Sequence, residues 1–222
     1  RSYLKIPNYK IQYNQSALVL NFTHTKNHNN SAYEIFLPDG PLATLPMKFY
    51  NNKVFKSSLI WSENKLMIKK LLNLKKENLK QAIQEKVYKY LGNIKDIESI
   101  KTFPLSAHIC RKFYHNRTVL IGDAAHSIHP IAGQGWNLGI RDIKCITECF
   151  ESYSNLGIDL GSQEVLINYN DRRYADVFSM LFITHSLNKV FCYKSKIAEK
   201  IKSIGFNYIN SNKKINAKLV NY

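Results

Sequence analysis

Apolar positions follow two different periods along the chain, and the change from one to the other divides it. In ALVLNFTHT, residues 17 to 25, Leu18, Leu20 and Phe22 alternate with Val19, Asn21 and Thr23, the period of two that puts one face of a strand in a core. AYEIFLPDGPLATLPM follows a polar loop, and its Pro-Asp-Gly at 38 to 40 predicts a turn between two extended pieces. SLIWS at 58 to 62, IESIKTFPLSAHICRKF from 97, and RTVLIG at 117 to 122 read as further strands, the last a short apolar one of the buried kind. Between them ENLKQAIQEKVYKYLG carries Leu79, Ala82, Ile83, Val87, Tyr90 and Leu91 on one helical stripe, with Gly92 placed to cap it in a left-handed conformation.

Beyond residue 137 the period is helical throughout. Leu138, Asp142, Cys145, Ile146, Cys149 and Phe150 recur three or four apart, and the turn NLGIDLGS at 155 to 162 precedes a longer helix starting near Gln163. Three regions are therefore expected. Residues 1–112 form a mostly β region, 113–150 a strand, loop and helix, and 151–222 a helical carboxy-terminal region.

Composition narrows the class. The chain has 222 residues, 45% hydrophobic and 12% aromatic, which is enough to bury a sizeable core. Lys and Arg number 32 against 16 Asp and Glu, a net charge of +16. Such a balance invites anionic partners, yet the chain holds no zinc spacing, helix-turn-helix or aromatic RNA-binding signature, so a nucleic-acid partner is not expected. Cys110, Cys145, Cys149 and Cys192 are too few and too irregular for a secreted disulfide framework, and Cys145 and Cys149 read as packed thiols on one helix face. The opening RSYLKIPNYK has no apolar export signal, and no apolar run reaches the length that spans a bilayer. A cytoplasmic protein is expected.

The chemistry is concentrated in LIGDAAHSIHPIAGQGWNLG, residues 120 to 139. A carboxylate after a buried strand, Asp123, is suited to hold hydroxyls, and the glycines before a helix bring unpaired amides and the positive helix end against an electron-rich atom. A flavin needs both, for its ribityl chain and for the N1/O2 edge of its ring. A dinucleotide pyrophosphate is the rival reading, but the context is wrong for it. The strand ends eleven residues before Gly133, and the helix leads to another helix rather than to a second strand with its acid. Asp123, His126 and His129 could in principle hold a metal, but matches of this size are common and no metal is expected.

The segment GDAAHSIHPIAGQGWNLGIRD resembles the second FAD-contacting motif of the flavin-dependent aromatic-ring hydroxylases, nearest to the ubiquinone-biosynthesis branch that acts on polyprenylated phenols. Gly40-Pro41-Leu42-Ala43 with Leu45-Pro46, Trp61-Ser62, Phe103-Pro104-Leu105 and Tyr169 with Arg172-Arg173 stand in the same order as in that family. The resemblance implies an α/β fold, the FAD/NAD(P)-binding fold of the aromatic hydroxylases in incomplete form, with a β-sheet substrate side and a helical carboxy terminus. It implies that Gly122, Asp123 and Ala124 meet the ribityl chain. Pro130, Gly133, Gly135, Trp136, Asn137 and Leu138 would run beside the isoalloxazine, and Pro41, Leu42, Leu45 and Pro46 would wall the aromatic substrate. Trp136 and His185 depart from the residues usual at their positions.

The implied activity is monooxygenation, in which NAD(P)H reduces FAD and one atom of oxygen passes to the ring of a polyprenylated phenol; the alternative is another FAD-dependent oxidoreductase of the same fold or an inactive fragment. No residue is marked out as the base that would deprotonate the phenol. Arg1 matches the last residue of the family's middle motif, so the chain is expected to be the carboxy-terminal portion. The Gly-x-Gly-x-x-Gly unit for the ADP half of FAD would then come from an upstream segment or a complementary chain. Tyr169, Arg172 and Arg173 could clamp an anion or be paired within the fold. The lysine-flanked stripe Ile197, Ile201 and Ile204 fits either an anionic membrane surface, inner face, or docking on its own domain. A ubiquinone-biosynthesis complex is a further expected partner.

Overall fold

The computed structural model describes residues 3–48 and 54–192. Arg1 and the Ile197/Ile201/Ile204 stripe lie outside the described residues. Alternation is realised as one antiparallel sheet of six strands, ordered β2-β3-β4-β1-β5-β8. Its strands are β1 (Asn8–His24), β2 (Tyr33–Leu37), β3 (Gly40–Pro46), β4 (Phe55–Asn64), β5 (Ile94–Cys110) and the short β8 (His126–Ser127). β1 is the spine, pairing with β4 on one side and β5 on the other.

Because side chains alternate, β1 serves two cores. Its even residues Leu18, Leu20 and Phe22 are fully buried with Leu42, Leu59 and Trp61. Against that face pack α1 (Lys65–Leu72) and α2 (Lys76–Leu91) through Ile68, Leu71, Leu79, Ile83 and Val87. The odd residues Tyr13, Gln15 and Ala17 are buried on the opposite face. The second core gathers Ile109, Phe113, Leu120, Leu138, Cys145, Cys149, Val165, Tyr169 and Val177 around the helices α3 (Gly135–Ser154) and α4 (Gln163–Cys192).

Three details differ from the expectation. Helix α1 has no counterpart in the sequence reading. It is short, and it is started by Asn64, whose side chain accepts from the Leu66 amide at 2.9 Å. RTVLIG is not a buried strand. Only β7 (Thr118–Val119) is extended, in a hairpin with β6 (Tyr114–His115). A buried strand must pair its amides on both sides, and here Leu120 turns to other partners: its amide donates to the Phe113 carbonyl at 2.7 Å, and its carbonyl accepts from the Tyr169 hydroxyl at 3.1 Å. Gly92 ends α2 at φ 71 but ψ −148, so its φ is positive without being left-handed helical.

The core beneath the sheet is independent of the other by composition, so a cavity there tests it alone. Ile83→Ala is expected to lower unfolding free energy by about 2–5 kcal/mol, measured by urea denaturation of the protein, with secondary structure retained in circular dichroism.

Candidate functional site

Asp142 is the polar centre of the second core. It is fully buried on the inward stripe of α3, and its two oxygens take three donors. Oδ2 accepts from the Gly122 amide at 2.8 Å and His126 Nε2 at 2.7 Å, and Oδ1 accepts from Arg173 Nε at 2.8 Å. Burial pushes the carboxyl up, but the bonds from His126, the Gly122 amide and Arg173 together outweigh it and hold the group below the usual carboxylate range. One carboxylate thereby joins the Gly122 turn, α3 and α4. Gly139, on the next turn back of α3, faces the Gly122 turn, where a Cβ would sit in ordinary contact 3.8 Å from Gly122 Cα.

Tied down in this way, the turn at Gly122–Ala124 and the amino end of α3 frame an open cleft of about 550 Å³. Ile121, Gly122, Asp123, Ile128, Pro130, Gly133, Gly135, Trp136 and Ile140 are among its lining residues. Asp123 is exposed there. A Cβ added at Gly122, Gly133 or Gly135 would meet nothing within 4 Å, so these residues present bare backbone to the cleft. Gly133 has φ +61, a conformation that suits glycine. Gln134 makes no side-chain cap to α3, which leaves first-turn amides and the positive helix end facing outward. The cleft thus offers a carboxylate for hydroxyls at one end, amides for negative charge at the other and an apolar wall between. The group implied by the sequence, an isoalloxazine with its ribityl tail, fits that donor set.

A second pocket of about 350 Å³ lies against the sheet, lined by Ala32, Tyr33, Glu34, Pro41, Ala43, Leu45, Ile60 and Ser62, and it shares Pro130 and Gly133 with the first. Among the residues expected on the substrate side, Pro41 and Leu45 line it, whereas Leu42 is fully buried on the opposite face with Trp61. Pro46, at the end of β3, is not among the lining residues. Ala43, Ile60 and Ser62 also line it and were not among the expected substrate-side residues, although period-two alternation from Pro41 places Ala43 on the same face. Among the residues expected at the cofactor, Ala124 and Asn137 are exposed beside the first cleft without lining it, and Leu138 is buried in the core.

The scan for family resemblance matches residues 12–173 to the family described as FAD binding domain. The chain belongs to this FAD-binding family. Ubiquinone hydroxylase UbiL of Rhodospirillum rubrum is 35% identical over 81% of the chain and 41% of its own length. The 3-demethoxyubiquinol 3-hydroxylase of Escherichia coli is 33% identical over 76% and 42%. The chain therefore spans about two fifths of the length of these relatives. Among solved structures, p-nitrophenol 4-monooxygenase PnpA of Pseudomonas putida superimposes with TM-score 0.71 at 14% identity, over 97% of the chain and 53% of PnpA. PqsL of Pseudomonas aeruginosa in complex with 2-aminobenzoylacetate gives 0.70 at 18%, over 91% and 55%. The fold is that of FAD-dependent monooxygenases.

Within this FAD-binding chain the remaining polar residues sort by partner. Arg172 is paired with Glu148, and Arg173 with Asp142 and Asp176, so the intramolecular reading of these arginines holds. Asp123, His126 and His129 point to different places: the cleft, Asp142 and Gln15. His129 is fully buried. Its Nδ1 accepts from the Ile131 amide at 3.2 Å, which leaves Nε2 to carry the proton and donate to Gln15 Oε1 at 3.2 Å. Burial, with His185 nearby, pushes its pKa down to about 4.

Two outcomes follow from these buried groups. Asp142→Ala removes the acceptor of His126 Nε2 and of Arg173 Nε and should cost about 3–5 kcal/mol in chemical denaturation. In the unfolded chain His129 takes up a proton near pH 6.5, before the folded chain does. The stability it contributes is complete above that pH and is lost as pH falls toward 4, by up to about 3 kcal/mol. Denaturation curves collected from pH 7 to pH 4 should show that slope, flattened in His129→Asn.

Proposed function

We propose that this chain is the flavin-ring and substrate-binding portion of an FAD-dependent monooxygenase that hydroxylates the aromatic ring of a polyprenylated phenol in ubiquinone biosynthesis, with NAD(P)H as reductant. The observation that carries the reading is that the two pockets meet at Pro130 and Gly133, so a planar ring in one would face the region occupied by a ring in the other. The relatives whose names specify ubiquinone hydroxylation support the choice of substrate class.

FAD, when bound, supplies electrons from the nicotinamide and activates oxygen for insertion of one atom into the ring. The chain's own residues bind, orient and exclude water. Asp123 accepts hydrogen bonds from ribityl hydroxyls. The bare backbone at Gly133 and Gly135 and the first amides of α3 would hold the electron-accepting edge of the ring and favour negative charge there. Ile121, Trp136, Ile140 and Ile143 cover apolar ring surface. In the second pocket, small side chains at Ala32, Ala43 and Ser62 beside Ile60 leave a flat wall for the phenol.

The ADP half of FAD falls to another segment or chain, because the nine glycines of this sequence contain no Gly-x-Gly-x-x-Gly. A greasy substrate favours a peripheral encounter with the membrane or a ubiquinone-biosynthesis complex. No helix of the described residues is long and apolar enough to cross a membrane.

The test uses the protein that joins this chain to its ADP-binding portion. Purified with FAD it should be yellow and convert a short-chain prenylphenol to its hydroxylated product with NAD(P)H and oxygen; no bound flavin or no hydroxylated product would refute the reading. Asp123→Ala should weaken FAD binding about 10- to 100-fold, the loss of about 1.5–3 kcal/mol for hydrogen bonds to a charged group, read by flavin fluorescence titration.

A further inference from the structure

The two pockets meet where the β2–β3 turn, just before Pro41, comes near the loop that holds Pro130. One side chain, Gln15, is bonded to both segments, at Asp39 and at His129, and it lines a separate open pocket with Tyr13, Asp39 and Asn188. It stands on the odd face of β1 and is 7% exposed. Its Oε1 accepts from His129 Nε2 at 3.2 Å and from Asn188 Nδ2 at 3.0 Å. Its Nε2 donates to the Asp39 carbonyl at 2.7 Å and to Cys192 Sγ at 3.3 Å. Both lone pairs and both protons of the amide are used, and the partners lie 24, 114, 173 and 177 residues away in sequence.

The surroundings are shaped to this residue. The register of β1 against β5 breaks between Gln12 and Ser16, with Ser16 opposite Pro104, a residue that has no amide to offer a ladder. That break releases Gln15 from β5. The turn lies directly on the amide. Gly40 has φ +148, and a Cβ there would come 2.3 Å from the Ser62 carbonyl oxygen and 3.0 Å from Gln15 Nε2. On the other side, His129 relays the contact to the Ile131 amide, two residues before Gly133. The ring of His129 also meets the edge of Tyr13 at 4.8 Å, and the Tyr13 hydroxyl bonds His185 Nδ1 at 3.2 Å.

We propose that Gln15 is a positioning residue for hydroxylation: by holding the turn before Pro41 and the loop at Pro130 through one amide, it fixes the distance between the substrate wall and the flavin-side loop. This rests on the function proposed above. When the spacing is right, phenol, oxygen, NAD(P)H and a proton give hydroxylated phenol, water and NAD(P)⁺. When it is not, oxygen takes the same two electrons and two protons and leaves as hydrogen peroxide, with the phenol unchanged. A displacement of about 1 Å is enough to cost on the order of 100-fold in a reacting geometry. Glutamate lacks both donors, and methionine has the length of glutamine but neither donor nor strong acceptor.

The experiment compares wild type, Gln15→Met, Gln15→Glu and the remote core variant Ile83→Ala, each as the FAD-loaded protein joined to its ADP-binding portion. The first readout is hydroxylated phenol formed, and hydrogen peroxide released, per NAD(P)H consumed. Gln15→Met is expected to lose at least about fivefold in coupling while flavin reduction stays within about twofold, and Ile83→Ala to couple like wild type despite its lower stability. The second readout needs no turnover. In ¹⁵N-histidine NMR, Gln15→Glu should raise the midpoint of His129 from about 4 to above about 6, because a carboxylate then faces its Nε2 proton. Wild-type coupling in Gln15→Met, equal uncoupling in Ile83→Ala, or an unmoved His129 in Gln15→Glu would each overturn the proposal. The NMR titration decides it even where Gln15→Met does not fold. A wild type that binds FAD and consumes NAD(P)H but never hydroxylates a phenol would instead overturn the function on which it rests.

Discussion

A buried carboxylate with three donors is the constraint from which the rest of the site follows. Moving Asp142 out of water is costly, and the cost is offset only while His126, the Gly122 amide and Arg173 all stay in place. Those donors come from a turn and from a helix that are far apart in sequence. Satisfying one side chain therefore fixes the Gly122 turn on α3 and α3 on α4, and with them the two ends of the larger cleft. The turn is held from its other side by the sheet, where the Cys110 amide donates to the Ala125 carbonyl at 2.8 Å and β8 pairs with β5.

The sheet applies the same logic with side-chain parity. β1 gives its even residues to the core under α1 and α2 and its odd residues to the side facing α4. Alternation from Pro41 through Ala43 to Leu45 then sends small and apolar groups toward the pocket, while Leu42 and Thr44 turn to the core. Trp61 shares that inner face, opposite Leu42 in the ladder.

Much of this was legible in the sequence because local rules agreed with the fold. Leu18, Leu20 and Phe22 announced a strand, the stripe from Leu79 to Leu91 a helix, and the Pro-Asp-Gly turn a hairpin. The long motif around Asp123 pointed to the cleft and its family. What escaped depended on contacts between distant residues. RTVLIG is apolar enough for a buried strand, but Leu120 finds its partners in Phe113 and Tyr169 rather than in a sheet. Helix α1 is too short for its period to stand out, and its start rests on a single Asn64 cap. The motif marks the substrate-side residues as a continuous run, whereas the pleat sorts them by face. Gln15 precedes the alternating run that begins at residue 17 and carries no signal of its own; only the meeting of His129, Asp39 and Asn188 around it gives it a role.

The pairing of β1 also bears on how the molecule is made. Asn8 lies beside Cys110 in the finished sheet, Ser16 beside Pro104 and Asn21 beside Glu98. During synthesis at roughly 5–20 residues per second, the first strand leaves the ribosome several seconds before its second partner has been translated. For that interval one border of the spine is open, with Leu18, Leu20 and Phe22 still short of their full cover. Vectorial synthesis thus exposes an open strand edge early, and the β1–β5 ladder is a non-local pairing that can close only once β5 has been translated.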